Sequence, residues 1–216
     1  MWTAVLTAGV LGFVGFRLAT SAHLTIRHAA LRRRAAVIVG GIRWRHVWPI
    51  PLVLSLVLLA AVALLQIPPL RFGWWTALGG AGNPVTGATD QTNGTVLEWL
   101  IPLIFLLLLL PAIPLFAFRE EEVFRLGTER WSGRRRVLKA VQFGLAHAIV
   151  GIPIGVALAL SIGGGYFQYA YLRGFRASGG DVQAALLESA RAHTAYNGVI
   201  VTLVLIAVGI AAFVGW

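Results

Sequence analysis

Residues 97–118 read LEWLIPLIFLLLLLPAIPLFAF, an almost uninterrupted apolar run. A helix needs roughly 20 consecutive apolar residues to cross the hydrocarbon core of a bilayer, so this run is long enough for one crossing. The composition of the whole chain of 216 residues agrees, because 58% of the side chains are hydrophobic and only 12% are charged. In soluble domains, about a quarter of the residues are charged. The sequence therefore predicts an all-α membrane protein.

Comparable apolar stretches occur at 2–22, at 47–68 and from about 192 to Trp216. A further apolar region, 137–172, is longer than one crossing requires. It contains Gly151-Ile152-Pro153, and a proline there would end or kink a helix because it lacks an N–H group and its ring clashes with the preceding turn. We therefore expect a helical hairpin at 137–172 and a polytopic bundle of about six transmembrane helices.

The basic residues indicate the topology of the chain. Of its 18 Lys and Arg residues, 16 fall in three stretches, 23–46, 119–139 and 173–191. With six crossings these stretches share one side of the membrane, and the positive-inside rule makes that side cytoplasmic. Both termini and the 69–96 loop would then lie outside. We expect an integral protein of a prokaryotic plasma membrane. Because topology accounts for the basic charge, nucleic acid is not an expected partner.

Three short motifs beside the apolar runs supply the candidate functional residues: REEEVFR at 119–125, FGLAH at 143–147 and HTAYN at 193–197. An ionisable side chain costs at least about 2.5–3.5 kcal/mol at the centre of a bilayer, so each is a functional candidate. On a helix, Glu121 and Arg125 can pair, whereas Glu120 points about 100° away from Glu121. Taken alone, each motif also fits a solvated helix end or a packing residue.

The three motifs lie at similar predicted depth, so their side chains could converge on one pocket near the cytoplasmic face. A carboxylate beside histidines and an amide is typical of hydrolysis, in which the carboxylate activates water and N–H groups stabilise the oxyanion. Glutamate with two histidines is also a zinc ligand set. The residues alone leave both chemistries open. The chain has no cysteine and no His-Glu-x-x-His, Gly-x-Ser-x-Gly or glycine-rich phosphate motif, which excludes thiol chemistry and disfavours zincins, serine hydrolases and nucleotide binding.

In order and spacing, the three motifs resemble those of the CPBP family of intramembrane proteases, which includes the type II CAAX prenyl endopeptidases and the bacteriocin self-immunity (Abi) proteins. The family pattern is Glu-Glu-x-x-x-Arg, then Phe-x-x-x-His, then His-x-x-x-Asn or Asp. The matching stretches are Glu120 to Arg125, Phe143 to His147 and His193 to Asn197. The resemblance covers about residues 98–216. It departs from the pattern at Leu126, where the family commonly has glycine.

The resemblance implies an intramembrane endopeptidase with four catalytic residues. Glu120 would activate the attacking water with the help of His147, and His193 and Asn197 would stabilise the oxyanion. The residues implied to support the site structurally are Glu121, Arg125 and Phe143. Because the family has been described both as metalloproteases and as metal-independent glutamate proteases, the cofactor is either none or a zinc-type divalent metal. A zinc ion would be bound by Glu120, His147 and His193.

The resemblance also implies a catalytic core at 98–216, preceded at 1–97 by a two-span region with an external loop. The substrate would be a membrane-associated or lipidated, CAAX-like protein. Two alternatives stay open: a non-catalytic membrane binding protein, such as a bacteriocin self-immunity factor, and a membrane protein that binds haem or a metal through His147 and His193. His46, next to the first basic stretch, is interpreted as an interfacial residue.

Overall fold

The computed structural model describes residues 2–77 and 94–214, and within these ranges the chain forms helices and no strands. The helices are α1 (Trp2–Arg27), α2 (Ala29–Gly40), α3 (Trp44–Val47), α4 (Ile50–Leu64), α5 (Trp74–Ala77), α6 (Leu97–Arg125), α7 (Gly133–Ala146), α8 (Ile154–Ala159), α9 (Ser161–Ala177) and α10 (Val182–Val214). Short 3-10 turns occur at Pro68–Arg71, Thr128–Arg130 and His147–Val150. The predicted all-α fold is confirmed. Most of the predicted 69–96 loop, residues 78–93, lies outside the described ranges.

Four helical stretches in the described ranges are long and apolar enough to cross a membrane: Ala8–Arg27, Trp44–Leu64, Leu97–Arg130 and Val182–Val214. They correspond to the four separate apolar runs of the sequence, so the protein is a membrane-type helix bundle. The hairpin region differs, because α7, α8 and α9 have only 14, 6 and 17 residues. Six crossings, like the sidedness of the loops, therefore stay a prediction.

The predicted break in the 137–172 region is confirmed. The 3-10 turn that follows α7 ends at Gly151, whose φ of 93° is the left-handed conformation that glycine adopts without steric cost. Pro153 then precedes the first residue of α8. The arms α7 and α9 pack against each other, as a hairpin requires. Their close approach depends on Gly164, where a Cβ atom would lie 2.9 Å from the ring of Phe143.

Helix α6 continues past the apolar run and through the glutamate triplet to Arg125. Three internal prolines do not end it, which is common in membrane helices because neighbouring groups satisfy the freed carbonyls. The helix ends where Gly127 takes a left-handed φ of 86°. The turn is therefore made by Gly127, one residue after the position where the family commonly has glycine. Glu120, Glu121 and Arg125 keep helical geometry.

The start of the last long helix was predicted wrongly. Helix α10 begins at Val182 rather than near residue 192. Its first turn is capped by Asp181, whose Oδ1 accepts the backbone N–H groups of Gln183 and Ala184 at 2.8 and 3.2 Å. Because the helix starts earlier, His193 lies well inside it and not at its beginning. Helix α10 packs along α6 and α9, and this contact positions the candidate site.

Candidate functional site

Glu121 is the centre of a polar cluster between α6 and α10. Its side chain is 0% exposed, and its Oε2 lies 3.3 Å from Nε of Arg125, which is also 0% exposed. From α10, the hydroxyl of Ser189 donates a hydrogen bond to Oε2, and Nδ1 of His193 lies 2.8 Å from Oε1. The pairing of Glu121 with Arg125 that the spacing predicts is therefore formed, and two side chains of α10 complete the surroundings of the carboxylate.

The helix geometry of α10 explains why Ser189 and His193 reach the same carboxylate. They are four residues apart and therefore project from one face. The Ser189 oxygen also lies 2.7 Å from the carbonyl oxygen of Phe167 on α9, so two acceptors compete for its proton. The Phe167 ring stacks on the imidazole of His193, with ring centroids 4.1 Å apart and an interplanar angle of 16°. The His193 ring is thus fixed by a hydrogen bond at its edge and by stacking on its face.

Glu120 lies at the boundary of this cluster. Its side chain is 40% exposed, and its Oε2 is 3.6 Å from Nε2 of His193. That Oε2 atom is itself buried and accepts no hydrogen bond from the described part of the chain. Since Glu121 accepts the Nδ1–H group of His193, the other ring nitrogen faces Glu120. His193 therefore lies between a buried carboxylate and one that is open to substrate or water.

Glu122 completes the triplet and points away from the cluster. Its carboxylate lies 3.0 Å from Nη1 of Arg119, in a pair whose side chains are 32% and 76% exposed. This surface pair has no contact with His193 or Arg125 among the ion pairs of the described residues. Glu120, Glu121 and Glu122 therefore lie at the boundary of the cluster, in the interior and at the surface, respectively.

The predicted site residue His147 is linked to the Glu121 cluster by Phe143, which contacts both histidines. Nδ1 of His147 lies 2.9 Å from the Phe143 carbonyl oxygen, one turn earlier on α7, and its ring centroid is 4.9 Å from the Phe143 ring. The Phe143 ring also lies 5.6 Å from the His193 ring and 4.9 Å from the guanidinium of Arg125, measured to the ring centroid. Phe143 thus packs against both histidines. His147 is half-buried, in the 3-10 turn after α7.

Asn197 follows His193 by one turn of α10 and is half-buried. Within residues 2–77 and 94–214, its side chain makes no hydrogen bond, so its amide is not committed to a structural contact there. The predicted site residues therefore divide into two sets. Glu120, Glu121, Arg125 and His193 are in direct contact, whereas His147 joins them through Phe143 and Asn197 adjoins them along the helix.

Of the zinc ligand set that the resemblance allows, Glu120 and His193 lie 3.6 Å apart, whereas His147 joins them only through Phe143. Among the described residues, no group of three His, Asp or Glu side chains is placed to hold a metal ion. Nδ1 of His193 is used by Glu121, which leaves Nε2 as its remaining ligand atom, and a carboxylate commonly holds the second ring nitrogen of a metal-binding histidine. The cofactor, none or a zinc-type divalent metal, therefore stays a prediction.

A second polar cluster was missed by the sequence analysis. Glu188 on α10 is 7% exposed. Its carboxylate lies 2.8 Å from Nε of Arg45, 2.5 Å from Nη2 of Arg173 and 3.6 Å from Nη1 of Arg191. Nε2 of His46 lies 3.0 Å from the same carboxylate.

His46, interpreted from sequence as an interfacial residue, is enclosed by the protein, because its side chain is 0% exposed. Nδ1 of His46 accepts the backbone N–H of Arg43 at 2.9 Å, which places the ring proton on Nε2, facing Glu188. Sequence offered one unused signal for Ser189, its position four residues before His193. It offered none for the Glu188 cluster, whose members come from three separate segments.

Comparison of the chain with protein-family models, with curated proteins and with solved structures finds no match. The resemblance to the CPBP family therefore rests on the three motifs and stays a prediction.

Proposed function

We propose that this chain is an intramembrane endopeptidase of the CPBP type, in which Glu120 activates the water that attacks the peptide bond. One observation carries the proposal: a partly exposed carboxylate lies 3.6 Å from the ring of a histidine that a buried glutamate holds in place. A carboxylate that is accessible to water and adjacent to a fixed N–H donor is the minimum that such hydrolysis needs.

The proton positions follow from the two carboxylates around His193. With Nδ1–H donating to Glu121, His193 can also donate from Nε2 only as an imidazolium, so the mechanism requires a charged His193 beside an ionised Glu120. When substrate and water enter, Glu120 takes a proton from water as the water oxygen bonds to the carbonyl carbon. Nε2–H of His193 and the amide of Asn197 donate to the oxyanion. The C–N bond then breaks, and Glu120 returns the proton to the leaving amine.

The position of the carboxylates along α6 indicates where this reaction occurs. Glu120 follows the apolar run 97–118 after one residue, Arg119, and lies in the last third of the candidate span Leu97–Arg130. The predicted topology puts this end of α6 at the cytoplasmic face. The substrate class that fits is a membrane-associated or lipidated protein cleaved near the membrane surface.

The test is peptide-cleavage mass spectrometry on a membrane-protein library incubated with purified protein, with and without a chelator. We expect Glu120→Gln to lower cleavage by at least about 100-fold, the usual contribution of a general base. Glu122→Gln is the matched control, since it makes the same substitution two residues away in a surface pair. Cleavage should survive in the Glu122→Gln control, and cleavage that also survives the chelator would support this mechanism without a metal.

Undiminished cleavage by Glu120→Gln would overturn the mechanism. Specific capture of library peptides without cleavage, equal in wild type and Glu120→Gln, would instead support the non-catalytic binding protein.

A further inference from the structure

A second feature of α10 is an apolar groove of about 430 Å³ on a different face from Ser189 and His193. Helices α6 and α10 and the segment around α3 contribute its walls. The lining residues include Ile42, Val47, Ile113, Ala195, Gly198 and Thr202. On α10, the spacing from Ala195 to Gly198 and Thr202 is three and then four residues, so these side chains form one continuous face. The groove is therefore separate from the proposed hydrolytic site.

Arg191 lies at one end of this groove. It precedes Ala195 by four residues and so belongs to the same face of α10. Its guanidinium lies directly against Gly41, where an added Cβ atom would collide with it. The next residue, Ile42, already lines the groove. A cationic group is therefore positioned where the apolar surface ends.

Arg191 belongs to the Glu188 cluster, which has an excess of positive charge. One carboxylate faces the guanidinium groups of Arg45, Arg173 and Arg191, whose side chains are 52%, 29% and 21% exposed. A guanidinium carries five N–H donors, whereas a carboxylate offers about four acceptor positions. The cluster therefore retains donors and about two positive charges for an external anion.

We propose that this groove binds an anionic phospholipid, with an acyl chain along the apolar face of α10 and the phosphate headgroup at Arg191. Charge complementarity selects this occupant, because a neutral lipid would leave the arginines unused and a soluble anion would leave the apolar groove unused. Anionic lipids are concentrated in the leaflet that faces the predicted basic side of the protein.

The test is native mass spectrometry of the purified full chain, titrated with phosphatidylglycerol or with phosphatidylcholine of the same acyl chains. A cation near the membrane surface favours an anionic lipid by about fivefold, so wild type should bind phosphatidylglycerol at least about fivefold more tightly. Arg191→Gln should reduce that preference by about fivefold, while Glu188 keeps its contacts with Arg45 and Arg173. Equal affinity of wild type for the two lipids would overturn the proposal.

The groove itself is tested by Gly198→Leu, with Gly209→Leu as its control. In the described part of the chain, and apart from the neighbouring backbone of α10, no atom lies within 4 Å of where a Cβ would stand at either glycine, but only Gly198 lines the groove. Both variants replace a helical glycine by a better helix former, so both should fold. Gly198→Leu should lower phosphatidylglycerol binding and Gly209→Leu should not. Equal binding by the two variants, or full displacement of the lipid by equimolar inorganic phosphate, would refute a site for an amphiphile.

Discussion

Replacing Glu121 by Gln tests the centre of the α6–α10 contact. The substitution removes a negative charge and nearly preserves the shape of the side chain. Both Glu121 and Arg125 are 0% exposed, with 3.3 Å between Oε2 and Nε, so the variant leaves Arg125 as a buried cation without its carboxylate. Breaking a buried ion pair by removing one partner costs about 3–5 kcal/mol, and we expect Glu121→Gln to lower the free energy of unfolding by that amount.

The assay is equilibrium unfolding in detergent micelles titrated with sodium dodecyl sulfate, followed by tryptophan fluorescence. Glu122→Gln is the matched control, because it is the adjacent residue and pairs with an Arg119 side chain that is 76% exposed. An exposed pair contributes about 0–1 kcal/mol, so the control should unfold close to wild type. If Glu121→Gln were no more destabilising than Glu122→Gln, the assignment of the buried ion pair would be refuted.

A double variant separates the ion pair from the other contacts of Glu121. Glu121→Gln with Arg125→Met removes both charges, and replacing a buried pair by uncharged groups is often neutral in stability. We expect the double variant to recover most of the loss seen in Glu121→Gln. If it stays as unstable as the single variant, the loss arises from the contacts with His193 and Ser189 instead.

Three further predictions use the same titration. Gly144→Ala should lower stability by about 1–3 kcal/mol, because its Cβ would collide with the Ala157 carbonyl oxygen, whereas Gly165→Ala has open space and should be neutral or stabilising by about 0.5–1 kcal/mol. Equal midpoints for these two variants would contradict the close packing of α7 on α8. Glu188→Gln should lower stability by about 2 kcal/mol because it leaves three arginines facing one another, and added salt should recover part of the loss. A salt-independent loss would argue against charge repulsion. Because the proposed mechanism uses no metal, a chelator should leave the wild-type midpoint unchanged, and a lowered midpoint would reveal a bound metal.

The long helices were predictable because crossing a bilayer requires an apolar run of fixed length. The start of α10 was not, because Glu188, Ser189 and His193 interrupt its apolar pattern. In the fold these polar groups have partners inside the protein, so they do not end the helix. Those partners are distant in sequence: Glu121 is 68 residues from Ser189 and 72 from His193. Periodicity within a segment carries no information about such contacts.

The same distinction between local and distant contacts applies to the candidate site. The Glu121–Arg125 pair is set by spacing within one helix and was predicted. The Glu188 cluster depends on tertiary packing, since Arg45 lies 143 residues from its carboxylate partner, and it was missed. The missed cluster is also the one that revises the interpretation of a buried histidine, His46.

The three consecutive glutamates differ in role, although they are adjacent in sequence: one stabilises the fold, one lies at the surface and one is the proposed catalytic base. Successive residues on a helix rotate by about 100°, so a triplet at the edge of a helix contact cannot share one environment. Glu121 faces the interior and forms an ion pair with Arg125, so its charge has a structural role. Glu122 faces outward and pairs with a surface arginine. Of the three, only Glu120 is both near His193 and accessible to solvent. Because Glu121 already holds His193 in place, the Glu120 carboxylate is free for the proposed reaction.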